Sequence, residues 1–515
     1  MLYTYKMNEN EYWWGGTAAD GTKCPFNAET EIEHNFSIWA GNQTMPMYLS
    51  NQGRCIWSEE PFEVKISGGV FEIEGKDVVL EQFGTTLKEA YLGAMAKHFP
   101  PSGKELARKF FKVAQYNTWM QMIYNQTQEG VMKYARGIIE NGFAPGIFMI
   151  DEGWQKDYDN WDFDPYKFPE PKKMIDELHE MGFTVMLWVT PNVRPDGEYF
   201  VKHISEDFNP EEYDKIFLRN EKGEPAICWW WNGYSAVLDF TKECDSRFLK
   251  KQLDFLVENY GIDGFKFDGG SIWQYGSESC INGPFSLDAT VAERNIAWNE
   301  FGSQYEFHEY KDTFKGGGKR TIQRIQDRTH SWEEHGLATL VPTALLQGVL
   351  GHPFICPDMI GGGSWIERDQ NEAVDEELFV RMAQCSALFP MMQFSWAPWE
   401  AVGSENLERI KAAEKLHTSF SELILELVDK AHTDGEPIIR SLEYNYPNKG
   451  YHTICDTFML GEKLLVAPVL EKGAENREVT LPDGEWEGFD GKIYIGGKKI
   501  NIPVTLDSVP YFIKK

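Results

Sequence analysis

The spacing of apolar residues changes twice along the chain. Up to about residue 105, short segments alternate apolar and polar positions, as in FSIWAG, GRCIWSE, FEVKIS and VFEIEG, with Gly and Asn turn signals between them. A period of two with such punctuation predicts strands half buried on one face. The stretch HFPPSGKEL, with Pro100, Pro101 and Gly103, interrupts the pattern and marks a boundary.

From about residue 106, strand-like and helix-like runs alternate. FKVAQYNTW reads as a strand, and Val131, Tyr134, Ala135 and Ile138 then fall at the i, i+3, i+4, i+7 spacing of a helix. PGIFMID and FTVMLWV read as strands on either side of a helix in KKMIDELHEMG. Leu249, Leu253, Leu256 and Tyr260 stripe another helix ahead of the strand GIDGFKFD. TIQRIQD, the apolar helix LATLVPTALLQGVLG, the strand HPFICPD, a helix through ELFVRMAQCSALF and the strand MMQFSW bring the total to about eight strand-then-helix units. That succession predicts an α/β fold built on a (β/α)8 TIM barrel. A doubly wound sheet is the alternative, but no strand runs into a GxGxxG or P-loop turn, and KGGGKR at 315–320 lacks P-loop spacing and reads as a flexible loop. From about 430, strand patterns return in FMLGEKLLVAPVL, REVTLPDGEWEGF, KIYIG and VTLDSVPYFIKK. The expected domains are a β-sandwich-like unit over 1–105, the barrel over 106–428, and a C-terminal β-sandwich over 429–515.

Composition narrows what such a barrel would act on. A chain of 515 residues with 42% apolar residues can bury large cores, and a net charge of −30 with no basic cluster argues against nucleic acid and anionic membranes as partners. A neutral small molecule fits this charge better than a polyanion. The 18 Trp offer flat faces of the kind that stack on sugar rings, although core packing accounts for most of them. The eight Cys are scattered without CxxC or Cys–His groupings, so they are read as free thiols of a reducing compartment. The N-terminus shows no basic and apolar leader and no run of 18 apolar residues occurs, so a cytoplasmic location with no membrane span is expected. An oligomeric state stays open.

Barrel enzymes carry their chemistry at the C-terminal ends of strands. Here GIFMI ends in Asp151-Glu152, GFKF ends in Asp268 with Lys266 two residues earlier, TIQRIQ ends in Asp327 with Arg324 three residues earlier, and FICP ends in Asp358. The alternation of a strand puts Lys266 and Asp268 on one side, toward the barrel mouth. One strand-end Asp commonly caps the helix that follows. Four of them, with a Lys and an Arg, make a charged rim in which neighbouring carboxylates push each other's pKa values apart. Glycoside hydrolysis needs such a pair, one carboxylate to attack the anomeric carbon and one carboxylic acid to protonate the leaving oxygen. HExxH-type metal spacing and a GxSxG elbow are both missing, so neither a metal nor a serine nucleophile is expected.

FKFD at 265–268 is similar to the nucleophile segment of glycoside hydrolase family 31, and K-x-D also occurs in related retaining α-galactosidases. Asp151, thirteen residues before Asp164-Pro165, resembles the second-strand region of that family. RIQDRTHSW, with Asp327 five residues before Trp332, resembles its acid/base segment. CPDMIGGG, ELFVRMAQCSALFPMMQFSWAPWE and DTFMLGEKLLVAPVL follow in the family's order. PDMIGG, MMQFS-x-x-PW and WWNG-x-x-A-x-LDF resemble the branch that includes myogenesis-regulating glycosidases and bacterial relatives. The resemblance covers residues 110 to 515. It implies a retaining α-glycosidase with no cofactor, acting on a glycoside or oligosaccharide, with α-galactosidase the leading specificity.

On that reading Asp268 is the nucleophile and Asp327 the acid/base. Asp151 and Glu152 would accept sugar hydroxyls, Trp188, Trp230 and Trp231 would wall the pocket, and Lys266, Arg324 and Asp358 would complete it. Two departures bear on specificity. Gln393-Phe394-Ser395 stands where most α-glucosidases of the family carry Arg-Asn-His, whose His binds a sugar hydroxyl, and Gly269-Gly270 follows the nucleophile instead of Asn-Glu. The alternatives are an α-glucosidase of the same family and a catalytically silent carbohydrate-binding barrel.

Overall fold

A computed structural model describes residues 1–38, 41–204, 216–364 and 374–515. The N-terminal region forms two small sheets. One is antiparallel, in the order Leu2–Lys6, Val70–Glu74, Glu63–Ser67, Ile32–Asn35. The other joins Trp13–Thr17, Gln43–Ser50, Arg54–Trp57 and Val79–Gln82. Trp13, Phe36, Tyr48, Ile56, Phe62 and Phe71 fill the core that belongs to them. Two expectations change here. In FSIWAG, Phe36–Ile38 turn instead of extending, because the Asn35 side chain accepts the Ser37 N–H at 2.9 Å, and residues 39 and 40 lie outside the described residues. A helix, Leu87–His98, closes the region; Thr86 caps it by accepting from the Glu89 N–H.

The barrel is a closed parallel sheet. Its strands in chain order are Gln115–Asn117, Ile147–Ile150, Thr184–Val189, Gly264–Phe267, Phe307–Tyr310, Ile322–Arg324, a seventh in two pieces, and Gln393–Phe394. Of the two pieces, Ile355–Cys356 bonds to the sixth strand and Met359–Ile360 to the eighth. Asp358 sits in the break with φ 71°. The eighth strand pairs with the first and shuts the ring. The first strand is shorter than FKVAQYNTW suggested, because Lys109–Lys112 turns helical. Phe307–Tyr310 carries no simple apolar pattern, since His308 and Glu309 are buried in it. KGGGKR is a packed loop at its glycines: Gly318 donates to the Gly351 carbonyl, and a Cβ on Gly317 would come within 2.9 Å of Met45 and 3.0 Å of Phe99.

Two additions shape the barrel mouth. Between the third and fourth strands, Asn192–Val193, Gly233–Val237 and Ile227–Trp230 make a small antiparallel sheet that brings Trp229, Trp230 and Trp231 over the rim. Beyond the fifth strand, Thr313–Phe314 leaves the barrel and pairs in parallel with Gln43–Thr44, which stitches the N-terminal sheet to the catalytic face.

The helix Ser421–Asp434 runs across residue 428, and the C-terminal strands begin at Ile439. There a six-stranded antiparallel sheet and the pair Asn476–Leu481 with Lys498–Pro503 enclose Met459, Leu465, Leu481, Trp486 and Phe512. None of the eight Cys is joined in a disulfide, and four of them are buried. No described helix is long and apolar enough to cross a membrane.

Candidate active site

A cavity of about 240 Å³ opens at the C-terminal ends of the barrel strands. Asp151, Glu152, Trp188, Trp231, Lys266, Asp268, Arg324 and Asp327 line it, with Trp119, Tyr124, Lys311 and Met359. The strand alternation that put Lys266 and Asp268 on one side therefore holds. The two do not pair with each other.

Lys266 Nζ lies 2.7 Å from Asp151 Oδ2, which also accepts from Asn117 Nδ2 at 2.7 Å. Both charges are buried, so each is held by its partner. Asp268 follows the fourth strand, and Gly269 and Gly270 after it both have φ 66°. That left-handed turn, which favours glycine, aims the Gly269 N–H at Asp268 Oδ1 at 2.8 Å. Trp188 Nε1 donates to Asp268 Oδ2 at 3.0 Å. Burial alone would raise the Asp268 pKa, but the cations of Lys311, Lys266 and Arg324 and the Trp188 bond reverse this and hold the carboxyl well below the ordinary range.

Glu152 differs. It accepts from Tyr158 Oη at 2.5 Å and from Trp231 Nε1 at 3.2 Å, and from Asn232. Burial, reinforced by the negative charges of Asp151 and Asp268 and offset in part by the Tyr158 and Trp231 bonds, pushes its pKa up to about 7. Trp231 stands 49% exposed at the rim, edge-on to Trp188 at 6.5 Å between ring centroids.

Arg324 is fully buried, with Nη1 3.0 Å from Asp358 Oδ1 and Nε 3.2 Å from Glu309 Oε1. Its Nη2 has no hydrogen-bond partner among the described residues, which leaves a donor for a ligand. Two expected residues stand behind the cavity. Asp358 is spent on Arg324 and on the Arg328 N–H at 2.8 Å; burial and the nearby Asp327 charge raise its pKa to about 6. Trp230 is buried between Tyr158 and Trp231, with ring centroids 5.0 and 4.8 Å away, and supports the wall from outside.

Asp327 lies at the mouth with its side chain 39% exposed, and Lys311 Nζ is 2.8 Å from its Oδ2. Burial raises the Asp327 pKa, but Lys311 and Arg324 outweigh it and the net shift is downward. Lys311 and Glu309 belong to the fifth strand and its end, the unit whose pattern was broken by buried polar residues, so sequence reasoning passed over both. The one available signal was position: Lys311 stands just past the end of its strand, as Asp151 and Asp268 do. Among the described residues, no group of three or more His, Cys, Asp or Glu side chains is placed to hold a metal ion.

Two family models match the chain: the TIM-barrel domain of glycosyl hydrolases family 31 over residues 112–417, and the C-terminal domain of the same family over residues 435–515. The chain belongs to glycosyl hydrolase family 31. The myogenesis-regulating glycosidase of Mus musculus is 31% identical to it over 438 residues, covering 83% of this chain and 60% of that protein. Alpha-glucosidase 2 of Bacillus thermoamyloliquefaciens is 26% identical over 426 residues, covering 76% of this chain and 51% of that enzyme. The chain therefore spans between half and three fifths of these family 31 relatives. In fold, it superposes on the Flavobacterium johnsoniae family 31 dextranase FjDex31A with a TM-score of 0.83 at 19% identity, covering all of this chain and 66% of that one.

Proposed function

We propose that the chain is a retaining, exo-acting α-glycosidase in which Asp268 attacks the anomeric carbon and Asp327 serves as acid, then base. The observation that carries this reading is the contrast between two carboxylates on one cavity. Asp268 is buried, ionised and held by fixed donors, as a nucleophile must be. Asp327 sits at the open edge, where a leaving group departs and water arrives. In the first half Asp327 protonates the leaving oxygen while Asp268 forms a glycosyl ester. In the second, Asp327 takes a proton from water, which displaces Asp268. Asp151, Lys266 and the spare Arg324 donor form a floor of buried polar groups suited to the hydroxyls of one terminal sugar. No cofactor enters these steps, and the partner is a glycoside or oligosaccharide.

Galactose is the leading sugar, as the resemblance of PDMIGG, MMQFS-x-x-PW and WWNG-x-x-A-x-LDF to one branch of the family suggests. A further observation counts against the glucose-binding arrangement of the family's α-glucosidases. Ser395 accepts the Met120 N–H at 2.7 Å and Gln393 donates to Gln115 Oε1 at 2.8 Å, so the segment that replaces Arg-Asn-His is buried, bonded within the protein and outside the cavity lining. The α-glucosidase relatives keep glucose as the second reading. A panel of p-nitrophenyl α-glycosides of galactose, glucose, xylose and N-acetylgalactosamine tests both. We expect the galactoside to turn over fastest, with the α-anomer as the first product by proton NMR. β-Anomer appearing first would overturn retention; a faster glucoside would overturn the sugar; binding without turnover of any member would favour a silent barrel.

A further inference from the structure

Lys311 stands where the two halves of the cleft meet. Its side chain lines the 240 Å³ cavity and also a neighbouring one of about 220 Å³, bounded by Asp268, Trp231, Trp273, Asp312 and Asn42. Its backbone is pinned from another domain. Gln43, fully buried on the N-terminal sheet, donates through Nε2 to the Lys311 carbonyl at 2.9 Å and to the Arg324 carbonyl at 2.7 Å. Two residues on, the chain is locked into the pairing of Thr313 with Gln43. The backbone of the lysine is thus fixed by a domain outside the barrel, while its side chain, 23% exposed, brings Nζ to 2.8 Å from Asp327.

We propose that Lys311 is the positioning residue for Asp327, holding that carboxylate at the junction of the two cavities and setting whether it carries a proton in the empty site. This rests on the acid/base role of Asp327 proposed above. The charged groups facing Asp327 are Lys311 from the fifth strand, Asp268 from the fourth, Arg324 and Arg328 from its own segment, and Asp358 from the seventh. Arg324 is committed to Glu309 and Asp358, and Arg328 to the hydroxyls of Thr339 and Thr343 at 2.6 and 3.0 Å. Asp268 and Asp358 repel it. Among the described residues, Lys311 is the cation in direct contact with Asp327. An ammonium at that distance favours the bare carboxylate, which helps the step in which Asp327 is a base and opposes the step in which it is an acid. The N-terminal sheet therefore acts on the chemistry through Gln43 and Lys311 without either residue needing to touch the reacting atoms.

The test is the pH dependence of kcat/KM on an α-glycoside with a poor leaving group, for the full chain and its Lys311→Met, Lys311→Gln and Lys311→Arg variants. The alkaline limb reports the proton on Asp327 in the free enzyme. We expect it to move up by roughly 1–3 pH units in Lys311→Met and Lys311→Gln, and to stay near its original place in Lys311→Arg. The acid limb, set by Asp268, should move the same way, since Lys311 also faces that carboxylate. A uniform loss of rate with both limbs unmoved is what a packing role gives, and it overturns the proposal; so does an upward shift in Lys311→Arg equal to that in Lys311→Met. Asp327→Ala separates the two levels of the argument: if its profile keeps the wild-type alkaline limb, the acid/base reading itself fails, whatever the lysine variants do.

Discussion

The corner around Asp268 and the corner around Asp327 use similar parts to opposite ends. At Asp268, two donors touch the carboxylate, three cations surround it at longer range, and water is largely shut out. At Asp327, one lysine makes the contact and over a third of the aspartate side chain meets solvent. A charge that must never be lost is secured by many fixed groups, each adding a little. A charge that must come and go is governed by one partner at the solvent edge. The lesson is that the number of partners and the access of water, more than the sign of the pKa shift, separate a proposed nucleophile from a proposed acid/base, because both carboxyls are shifted downward.

The largest expected effect breaks the comparison at its buried end. Asp268→Ala should lower turnover of every α-glycoside by roughly 10⁴-fold or more, because among the described carboxylates lining the cavity Asp268 is the one held by both the Gly269 N–H and Trp188 Nε1. Azide should then attack from the vacated face and release a β-glycosyl azide. An α-azide would mean the two roles are exchanged.

At the open end the loss should depend on the leaving group. Asp327→Ala should cost roughly 10²–10⁴-fold on substrates that need protonation, while a nitrophenyl glycoside keeps a fast first step. Its slow second step should accelerate with azide and give an α-glycosyl azide, since the intact Asp268 inverts once and azide inverts again. Equal losses on both substrate types would remove the distinction between the corners.

The smallest effect concerns the neighbour of the Asp268 corner whose shift is opposite. Glu152 titrates near 7 in the folded chain against an ordinary 4.5, so the folded state binds more protons between those values and its contribution to stability, full below 4.5, is lost as pH rises through 7. Glu152→Gln should therefore soften the fall in urea midpoint between pH 5 and pH 8, by an amount worth roughly 1–3 kcal/mol. Asp358 and Asp245, raised to about 6 and about 8 by burial, remain in the variant, so the comparison is with wild type at each pH. Parallel profiles would show that Glu152 titrates normally.

Much of this was legible in the chain itself. The change from period two to alternating strand and helix announced the barrel, and strand-end positions picked out Asp151, Asp268 and Asp327, because periodicity and the direction of a strand are local properties that a single sequence carries. The helix Leu87–His98 was also written locally, as Thr86 with Glu89 three residues on, but was hidden among strand signals. What the chain could not show is which residues from distant strands meet. That Lys266 binds Asp151 across 115 positions, that Asp358 and Trp230 fall behind the cavity, and that Gln43 reaches 268 positions to fix Lys311 were settled by tertiary packing. Coulomb energy depends on separation in space and on the exclusion of water, and neither is a function of spacing along the sequence.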